Sequence, residues 1–321
     1  MVKIVIQSRF SGWYSLLVAL FLAFSAQAQS GALVFQTDFG LKDGAVAAMK
    51  GVAFGVSPQL KQFDLTHEIP AYNIWEAAYR LEQTYAYWPA GTVFVSVVDP
   101  GVGSDRRSVV AKLKTGQFVV TPDNGTLSLL EENPGIEAIC LIDEQRNRLP
   151  GSGDSYTFHG RDVYAYTGAR LASGTIQFEE VGPPRRTDIV RIPYTKAAIS
   201  QGVLSGTIPV LDIQYGNLWT NIPFSLLQQA GIRYNDRLVV DIYDNQKKIF
   251  SGSMPFVTTF SAVKEGQPLA YINSLLQLSF ALNQASFATK HHIGSGGNWR
   301  VQVQKQRTDH SRTKDSPAAR D

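Results

Sequence analysis

The sequence predicts an α/β protein: an N-terminal α/β/α domain on a parallel sheet, followed by a smaller, mostly antiparallel β domain. In the N-terminal half, short apolar runs alternate with segments of helical periodicity. Such alternation implies crossover connections and a largely parallel sheet covered by helices. In the C-terminal half, short strand-like runs follow one another between turns, which is typical of antiparallel sheets. We predict a signal peptide at 1–28, the α/β domain at 29–190, the β domain at 191–300 and a disordered tail at 301–321.

Apolar spacing defines the individual elements of the N-terminal half. The predicted strands are 33–36, 63–65, 92–98 and 118–120. The predicted helices are 44–56, 74–88 and 162–172. The β-branched run in 92–98 is typical of a strand buried on both faces, and the whole pattern indicates a Rossmann-like domain. The stretch Val181-Gly182-Pro183-Pro184-Arg185-Arg186 breaks the periodicity, and we interpret it as a linker.

The C-terminal half carries the strand pattern of the second domain. Its predicted strands are 203–211, 237–242, 247–250, 269–272 and 277–282. Few segments have helical spacing there, so we expect a small antiparallel β domain.

The first 28 residues have the layout of a secretory signal. Lys3 and Arg9 precede an apolar run at 13–24, and Ala26-Gln27-Ala28 offers the small residues of a cleavage site. The apolar run is short for a bilayer span, although an uncleaved anchor is the alternative. We expect cleavage after Ala28 and a periplasmic or secreted protein without stable membrane association.

Charge, cysteine and histidine usage argue against several partners. The formal net charge is +3, and much of the basic excess lies in 305–320 without interleaved aromatic residues, so we expect no nucleic-acid partner. Cys140 is the only cysteine, which excludes an internal disulfide and a cysteine metal cluster. The histidines lack the i, i+4 spacing of a helical metal site, and we expect no metal.

Polar residues collect after three predicted strands of the N-terminal half. Asp38 and Asp43 follow the first strand, Thr66-His67 the second, and the run 99–107 the third. Ligands of open parallel sheets bind outside the carboxyl ends of the strands, so these residues predict a pocket. Each also has a structural interpretation: the first two aspartates are suited to cap a helix, and Asp99-Pro100-Gly101 is suited to a turn.

Five motifs in a fixed order are more specific than any of these features alone. They are Thr37-Asp38-Phe39-Gly40-x-x-Asp43, Asp99-Pro100-Gly101-Val102-Gly103-Ser104-x-Arg106-Arg107, Pro122-Asp123-Asn124-Gly125, Phe158-His159-Gly160-Arg161-Asp162 and Tyr215-Gly216-Asn217-Leu218-Trp219-Thr220-Asn221. The set resembles the S-adenosyl-L-methionine (SAM) hydroxide adenosyltransferase family, which is related to SAM-dependent fluorinases and chlorinases. The resemblance covers about residues 32–290. It implies a homotrimer with SAM between the N domain of one subunit and the C domain of its neighbour.

The resemblance also implies roles for the residues that would bind SAM. Asp38 would accept hydrogen bonds from the ribose hydroxyls, as a charged acceptor suits a diol, and Tyr72 stands beside the ribose where halogenating relatives carry a Trp. The methionine part would be bound by Asp43, Asp212 and Ser274. The adenine would be bound by Asn217, Tyr215, Trp219 and Asn283. Leu275 stands where the family carries an Arg, a departure from the family pattern that concerns recognition of the methionine carboxylate.

Asp99, Arg106 and His159 match the Asp–Arg–His set of the hydrolases in this family. Halogenases carry a Tyr at the position of Asp99, and fluorinases a halide-contacting Ser at the position of Gly160. A carboxylate repels a halide but can orient water or accept its proton. The resemblance therefore implies hydrolysis of SAM to adenosine and methionine by attack at ribose C5′, with SAM as substrate and no cofactor. Whether the nucleophile is water or hydroxide stays open.

Two alternatives follow from the signal peptide, because SAM is made in the cytoplasm. A periplasmic binding protein for adenosine or a related nucleoside would not need Asp99, Arg106 and His159 together. A hydrolase of another 5′-substituted adenosine would keep these three residues and change the part of the pocket that holds the substrate's tail.

Overall fold

The computed structural model describes residues 30–185 and 188–306. The predicted signal peptide and residues 307–321 of the predicted tail lie outside the described residues. Within the described ranges, no helix combines the length and apolarity needed to cross a membrane. The residues cluster into two compact units, one mostly N-terminal and one that contains everything from Ile189 onward.

The first unit is built on one seven-stranded sheet. Its strands are β1 (Ala32–Thr37), β2 (Lys61–Thr66), β3 (Val93–Val97), β4 (Ser108–Leu113), β5 (Phe118–Pro122), β6 (Ile136–Leu141) and β7 (Pro184–Arg185). The spatial order is β2-β1-β3-β5-β4-β6-β7. The first four strands of that order run parallel, whereas β4, β6 and β7 pair antiparallel with their neighbours. The α/β prediction is confirmed, with a mixed sheet because the tight turn after Leu113 reverses the chain.

The helices of the N-terminal half are α1 (Ala45–Val56), α2 (Ile74–Thr84), the short α3 (Ser128–Glu132) and α4 (Tyr166–Ala172), which continues a π-helical turn at Gly160–Ala165. The apolar spacing predicts α1, α2 and α4 but not α3, and α1 and α4 pack into the core of the first unit. Helix α1 buries Val46, Met49 and Ala53, the face that a 3.6-residue period predicts. Gly168 lets α4 approach the sheet closely, since a Cβ at that position would lie 2.5 Å from Cγ2 of Val95.

The predicted linker at 181–186 is wrong for Val181–Arg185. Val181 is fully buried in the core of the first unit, and Pro184 pairs with Cys140 on the edge of the sheet. Gly182 has a φ of +155°, and a Cβ there would collide with the carbonyl oxygen of Leu141. The glycine and prolines that interrupt the periodicity therefore serve a close backbone approach and an edge strand, where proline is tolerated.

Two antiparallel sheets form the second unit, as the sequence predicts. The strands are β8 (Ala198–Ser200), β9 (Val203–Ile208), β10 (Val210–Leu211), β11 (Leu218–Pro223), β12 (Arg237–Asp244), β13 (Lys247–Pro255), β14 (Pro268–Ile272), β15 (Gln277–Leu282) and β16 (Gly296–Lys305). They are arranged as β10-β11-β15-β14 and β13-β12-β16-β9-β8. The short helices α5 (Phe224–Gln229) and α6 (Phe287–His291) join them. Alternate residues such as Leu238, Val240 and Ile242 fill the core.

Two segments of the N-terminal half also group with the second unit, which the sequence did not predict. They are Tyr72–Gln83, which holds most of α2, and Asn124–Leu129. The indole of Trp75 donates a hydrogen bond to the carbonyl of Pro209 at 2.8 Å and packs edge-on against Tyr194.

The disordered tail predicted to begin at 301 is wrong for Val301–Lys305. These residues complete β16, which pairs with β12 on one side and β9 on the other. Val301 and Val303 are fully buried, while Gln302 and Gln304 are exposed. Their alternation with polar residues is the pattern of a strand with one buried face, and the polar composition of the residues after it concealed that pattern.

Candidate active site

The loop after β3 brings a carboxylate and a guanidinium together. Arg106 donates from Nε to both carboxylate oxygens of Asp99, at 2.9 and 3.0 Å, and from Nη2 to Oδ2 at 2.5 Å. Both side chains are largely buried, with 5% of Asp99 and 11% of Arg106 exposed. Burial opposes the charge of Arg106, but its hydrogen bonds to Asp99 and the nearby groups of Tyr164, Asp99 and Glu144 together outweigh burial and raise the pKa of the guanidinium. The two groups therefore form a fixed ion pair.

His159 completes the predicted set at the start of the π-helical turn. Its Nδ1 lies 2.9 Å from Nη2 of Arg106, and its Nε2 lies 3.0 Å from Nη2 of Arg148. Burial lowers the pKa of His159, and the positive charges of Arg106 and Arg148 add to this effect, while Glu144 and Asp99 oppose it. One contact network of the first unit thus contains Asp99, Arg106 and His159. The first and last of these residues are more than 50 positions apart in the sequence.

Four further residues of this network are absent from the sequence prediction. Arg106 also donates from Nη1 to Oγ of Ser108 at 2.9 Å, and that hydroxyl donates to Glu144 at 3.2 Å. Glu144 in turn accepts a hydrogen bond from Arg148 at 2.6 Å. The phenol of Tyr164 lies 3.2 Å from the Ser108 hydroxyl, and burial raises its pKa. The i, i+4 spacing of Glu144 and Arg148 was the available signal, but no helical pattern surrounds it.

Asp38 follows a strand end that His67 holds in place. Nδ1 of His67 lies 2.8 Å from Oγ1 of Thr37, and its Nε2 lies 3.0 Å from Asp64. His67 is only 3% exposed, and its backbone carbonyl accepts a hydrogen bond from Gly40. The polar residue predicted after the second strand therefore supports the loop that carries Asp38. Asp43 is exposed, and its Oδ1 accepts a hydrogen bond from the first amide of α1 at 2.9 Å.

The second unit contains a cavity of about 570 Å³ beside the predicted adenine residues. Its lining residues are Gln214, Tyr215, Asn217, Phe260, Leu282, Asn283, Gln284, Ala285 and Ser286. Asn217 is 4% exposed, and Asn283 donates a hydrogen bond to the carbonyl of Val263 at 2.8 Å. Gly216, with a φ of +67°, lies so close to Ser286 that a Cβ would collide with its hydroxyl. Aromatic and amide side chains with exposed backbone suit a purine.

Asp212 and Trp219 belong to a polar cluster next to this cavity. Asp212 accepts a hydrogen bond from the Asn217 side chain at 3.4 Å, and its backbone amide donates to the Asn217 carbonyl. Tyr271, which the sequence analysis did not single out, lies in the same cluster. Burial and the negative charge of Asp212 raise the pKa of Tyr271 to about 12, and its polar neighbours Trp219 and Ser279 oppose that rise.

The remaining predicted residues lie outside the cavity lining. Ser274 occupies the turn between β14 and β15, where Asn273 accepts backbone hydrogen bonds from Leu275 and Gln277. Tyr72 is 72% exposed and has a φ of +68°. Among the described residues, no group of three or more His, Cys, Asp or Glu side chains is arranged to hold a metal ion.

The fold and the polar network define a two-unit α/β protein whose architecture occurs in solved structures. A crystal structure of an uncharacterized conserved protein from Thermotoga maritima superimposes with a TM-score of 0.76 at 29% identity, covering 85% of this chain and 99% of that one. The chain belongs to the SAM hydroxide adenosyltransferase family: the N-terminal domain of that family matches residues 33–182, and the C-terminal domain matches residues 206–300.

Similar curated proteins carry two different names. The (R)-S-adenosyl-L-methionine hydrolase of Thermus thermophilus is 35% identical over 78% of this chain and 92% of its own length. The fluorinase of Actinoplanes sp. is 31% identical over 82% of this chain and 95% of its own length. Similarity of this degree supports a small-molecule substrate of the SAM class but leaves the choice between water and halide to the residues of the site.

Proposed function

We propose that this protein hydrolyses SAM to adenosine and L-methionine by in-line attack of water or hydroxide at ribose C5′. The observation that carries the proposal is the buried Asp99–Arg106–His159 set, in which Arg106 contacts both other side chains within 3.0 Å. These are the residue types that the resemblance assigns to hydrolases. The hydrolase names of relatives at 35% identity support the same reaction.

The chemistry requires positioning and charge rather than a proton donor. The sulfonium of SAM leaves as a neutral thioether, so no general acid is needed. Asp99 orients the nucleophile and, when that nucleophile is water, accepts the proton released as the C–O bond forms and the C–S bond breaks. The hydrogen bonds from Arg106 keep the Asp99 carboxylate in one orientation. Arg106 supplies the positive charge of this network, which favours an anionic nucleophile such as hydroxide over a neutral one. Holding the nucleophile in line with C5′ is the main contribution of such a site.

Two features argue against halogenation. The resemblance places the carboxylate of Asp99 where halogenases carry a Tyr, and a carboxylate repels a halide but not a neutral water. At Gly160, where fluorinases carry a serine, a Cβ would lie 3.1 Å from two atoms of the Phe39 ring. A serine at this position would therefore crowd Phe39.

The second unit supplies the adenine part of the proposed substrate site. Adenine would enter the cavity lined by Tyr215, Asn217 and Asn283. Asp38 would hold the ribose beside Tyr72, and Trp219 would flank the adenine. The methionine part would be held by Asp43, Asp212 and Ser274. The family resemblance further supports a homotrimer in which neighbouring chains complete each site without a cofactor. The signal peptide predicted at residues 1–28 supports a location in the periplasm or outside the cell.

The decisive experiment incubates the mature protein, from Gln29, with SAM and follows adenosine and methionine by chromatography. We expect both products, loss of turnover in Asp99→Asn, and no effect of added chloride or fluoride. If SAM survives while adenosine binds tightly, the protein is a nucleoside receptor instead. If another 5′-substituted adenosine is cleaved in place of SAM, the catalytic set stands and the substrate assignment changes.

Mixed assemblies of two variants test whether neighbouring chains share one active site. Asp99→Asn removes turnover, and Asn217→Ala weakens adenine binding, so turnover is measured at SAM concentrations well below the KM of the Asn217 variant. When the two variants are unfolded and refolded together, shared sites regain part of the wild-type turnover, whereas sites built within a single chain regain none. Sedimentation analysis of the wild-type protein gives the number of chains independently.

A further inference from the structure

His159 has a guanidinium group at each of its two ring nitrogens. Nη2 of Arg106 lies 2.9 Å from Nδ1, and Nη2 of Arg148 lies 3.0 Å from Nε2. A guanidinium donates hydrogen bonds and accepts none, whereas neutral imidazole has one donor and one acceptor nitrogen. A protonated imidazole would direct two N–H groups at two cations. The geometry therefore favours neutral His159.

The acidic groups around His159 do not provide it with an acceptor. Asp99 accepts three contacts from Arg106, and Glu144 accepts hydrogen bonds from Arg148 and Ser108. The other neighbours of His159 include the ring of Tyr156, whose centroid is 6.3 Å from that of the imidazole. The carboxylates thus accept hydrogen bonds from the arginines, and both ring nitrogens of His159 face guanidinium groups instead of carboxylates.

Arg148 is held in this position from two sides. Glu144 accepts from its Nη2 at 2.6 Å, and the ring of Tyr156 lies 4.8 Å from its guanidinium carbon. Only 11% of the Arg148 side chain is exposed. Ser108 accepts a hydrogen bond from Arg106 and donates one to Glu144, which contacts Arg148. Because His159 contacts both arginines, these side chains form a closed ring of contacts. Arg148 is therefore part of the same network as the proposed catalytic set.

We propose that Arg148, anchored by Glu144, is a positioning residue that keeps His159 neutral and in contact with Arg106. This inference rests on the proposed function, because the role of His159 in SAM hydrolysis comes from that proposal. His159 is then a neutral side chain with a fixed orientation, and it does not act as a general acid or base. Turnover should then persist at a lower pH than an ordinary histidine would allow.

The first test is an NMR titration of the His159 ring in the full mature protein, with the signal assigned by its loss in His159→Asn. Removing the Arg148 charge in Arg148→Gln should raise the pKa of His159 by roughly one pH unit. Arg146→Gln is the matched control, since Arg146 belongs to the same loop, is 77% exposed and pairs with Asp143 instead. An unchanged or lowered His159 pKa in Arg148→Gln overturns the proposal.

The second test follows kcat for SAM from pH 5 to pH 8 in the same variants. Arg148→Gln should shift the acid limb of the profile to higher pH, and Arg148→Lys, which keeps the charge, should restore part of the wild-type limb. A uniform loss of kcat at every pH, with the limb unmoved, would mean that Arg148 is only structural and would reject the proposal. If the wild-type protein does not cleave SAM, the proposed function fails, while the titration still decides whether Arg148 controls His159.

Discussion

Arg106 binds Asp99 through two of its nitrogens, although the two residues lie on opposite sides of a turn. Nε contacts both carboxylate oxygens, and Nη2 contacts Oδ2 while also reaching Nδ1 of His159. A planar fork with five donors can make all these contacts at once. The arrangement of Asp99 and His159 therefore depends on the shape of Arg106 as well as on its charge.

Replacing Arg106 with lysine tests this dependence on shape. A lysine ammonium is a point charge that cannot contact Asp99, Ser108 and His159 together. We expect Arg106→Lys to lower kcat for SAM by roughly 100-fold, the cost of misplacing reacting groups by about 1 Å. Arg107→Lys is the control, because Arg107 pairs with Asp123 and Asp188. Wild-type kcat in Arg106→Lys would show that charge alone suffices.

Substitution at Gly160 tests the packing argument against halogenation. Gly160→Ser should destabilise the protein by about 1–3 kcal/mol through crowding of Phe39, and it should form no chlorinated product while Asp99 remains. Urea unfolding and product analysis in chloride measure the two effects. Gly153→Ser is the control, since nothing lies within 4 Å of its added Cβ. Chlorinated product from the Gly160 variant would contradict the assignment.

His67 should matter for both stability and substrate affinity. Its imidazole bridges Thr37 and Asp64 in a buried position, so His67→Ala should cost about 1–3 kcal/mol of unfolding free energy. Because Asp38 follows Thr37 directly, we also expect a raised KM for SAM. The exposed His292, changed to Asn to suit its positive φ, provides the control. An unchanged KM would show that the end of β1 does not influence substrate binding.

The amide of Asn217 should contribute to adenosine binding. Asn217→Ala removes a buried hydrogen-bonding group from the cavity wall, and the loss of about 1.4 kcal/mol corresponds to a tenfold weaker Kd. Isothermal titration with adenosine measures it. Asn298→Ala removes an exposed amide of the same unit that pairs with Asp244 outside the cavity. Equal affinity in both variants would place the adenine elsewhere.

The stability of the protein should depend on pH through His159. Its pKa is lowered in the folded state, chiefly by burial, so the unfolded chain binds more protons between that value and the ordinary 6.5. The free energy of unfolding should therefore fall as the pH drops below 6.5, with a slope of up to about 1.4 kcal/mol per pH unit from this residue.

Comparing the slopes of wild type and His159→Asn isolates this contribution. The pKa of His291 is also lowered, by burial and by its neighbours Lys290 and His292, but it contributes to both proteins alike. Denaturant unfolding between pH 5 and pH 7.5 should give a shallower slope for the variant. Parallel slopes would mean that His159 takes up protons as readily in the folded state as in the unfolded chain.

Patterns within short stretches of sequence predicted most of the regular elements. Helix α1 and strands β1, β3 and β12 have clear periodicity, because one or both faces of each are buried. The errors fall where a residue's environment comes from distant parts of the chain. The local sequence around Val181 and Gly182 is typical of a linker, but in the structure these residues pack against β6. Likewise, Val301 and Val303 are predicted to belong to a tail, but they lie in a strand between β9 and β12.

The sequence by itself determined the α/β class and the family and indicated Asp99, Arg106 and His159 as the candidate catalytic set, because these depend on periodicity and on motifs that can be read in order. Only the tertiary structure brought Glu144 and Arg148 to His159 and placed Tyr271 beside Trp219. Such contacts join side chains of separate loops and strands. They depend on how the backbone folds between them, and no local spacing encodes that distance.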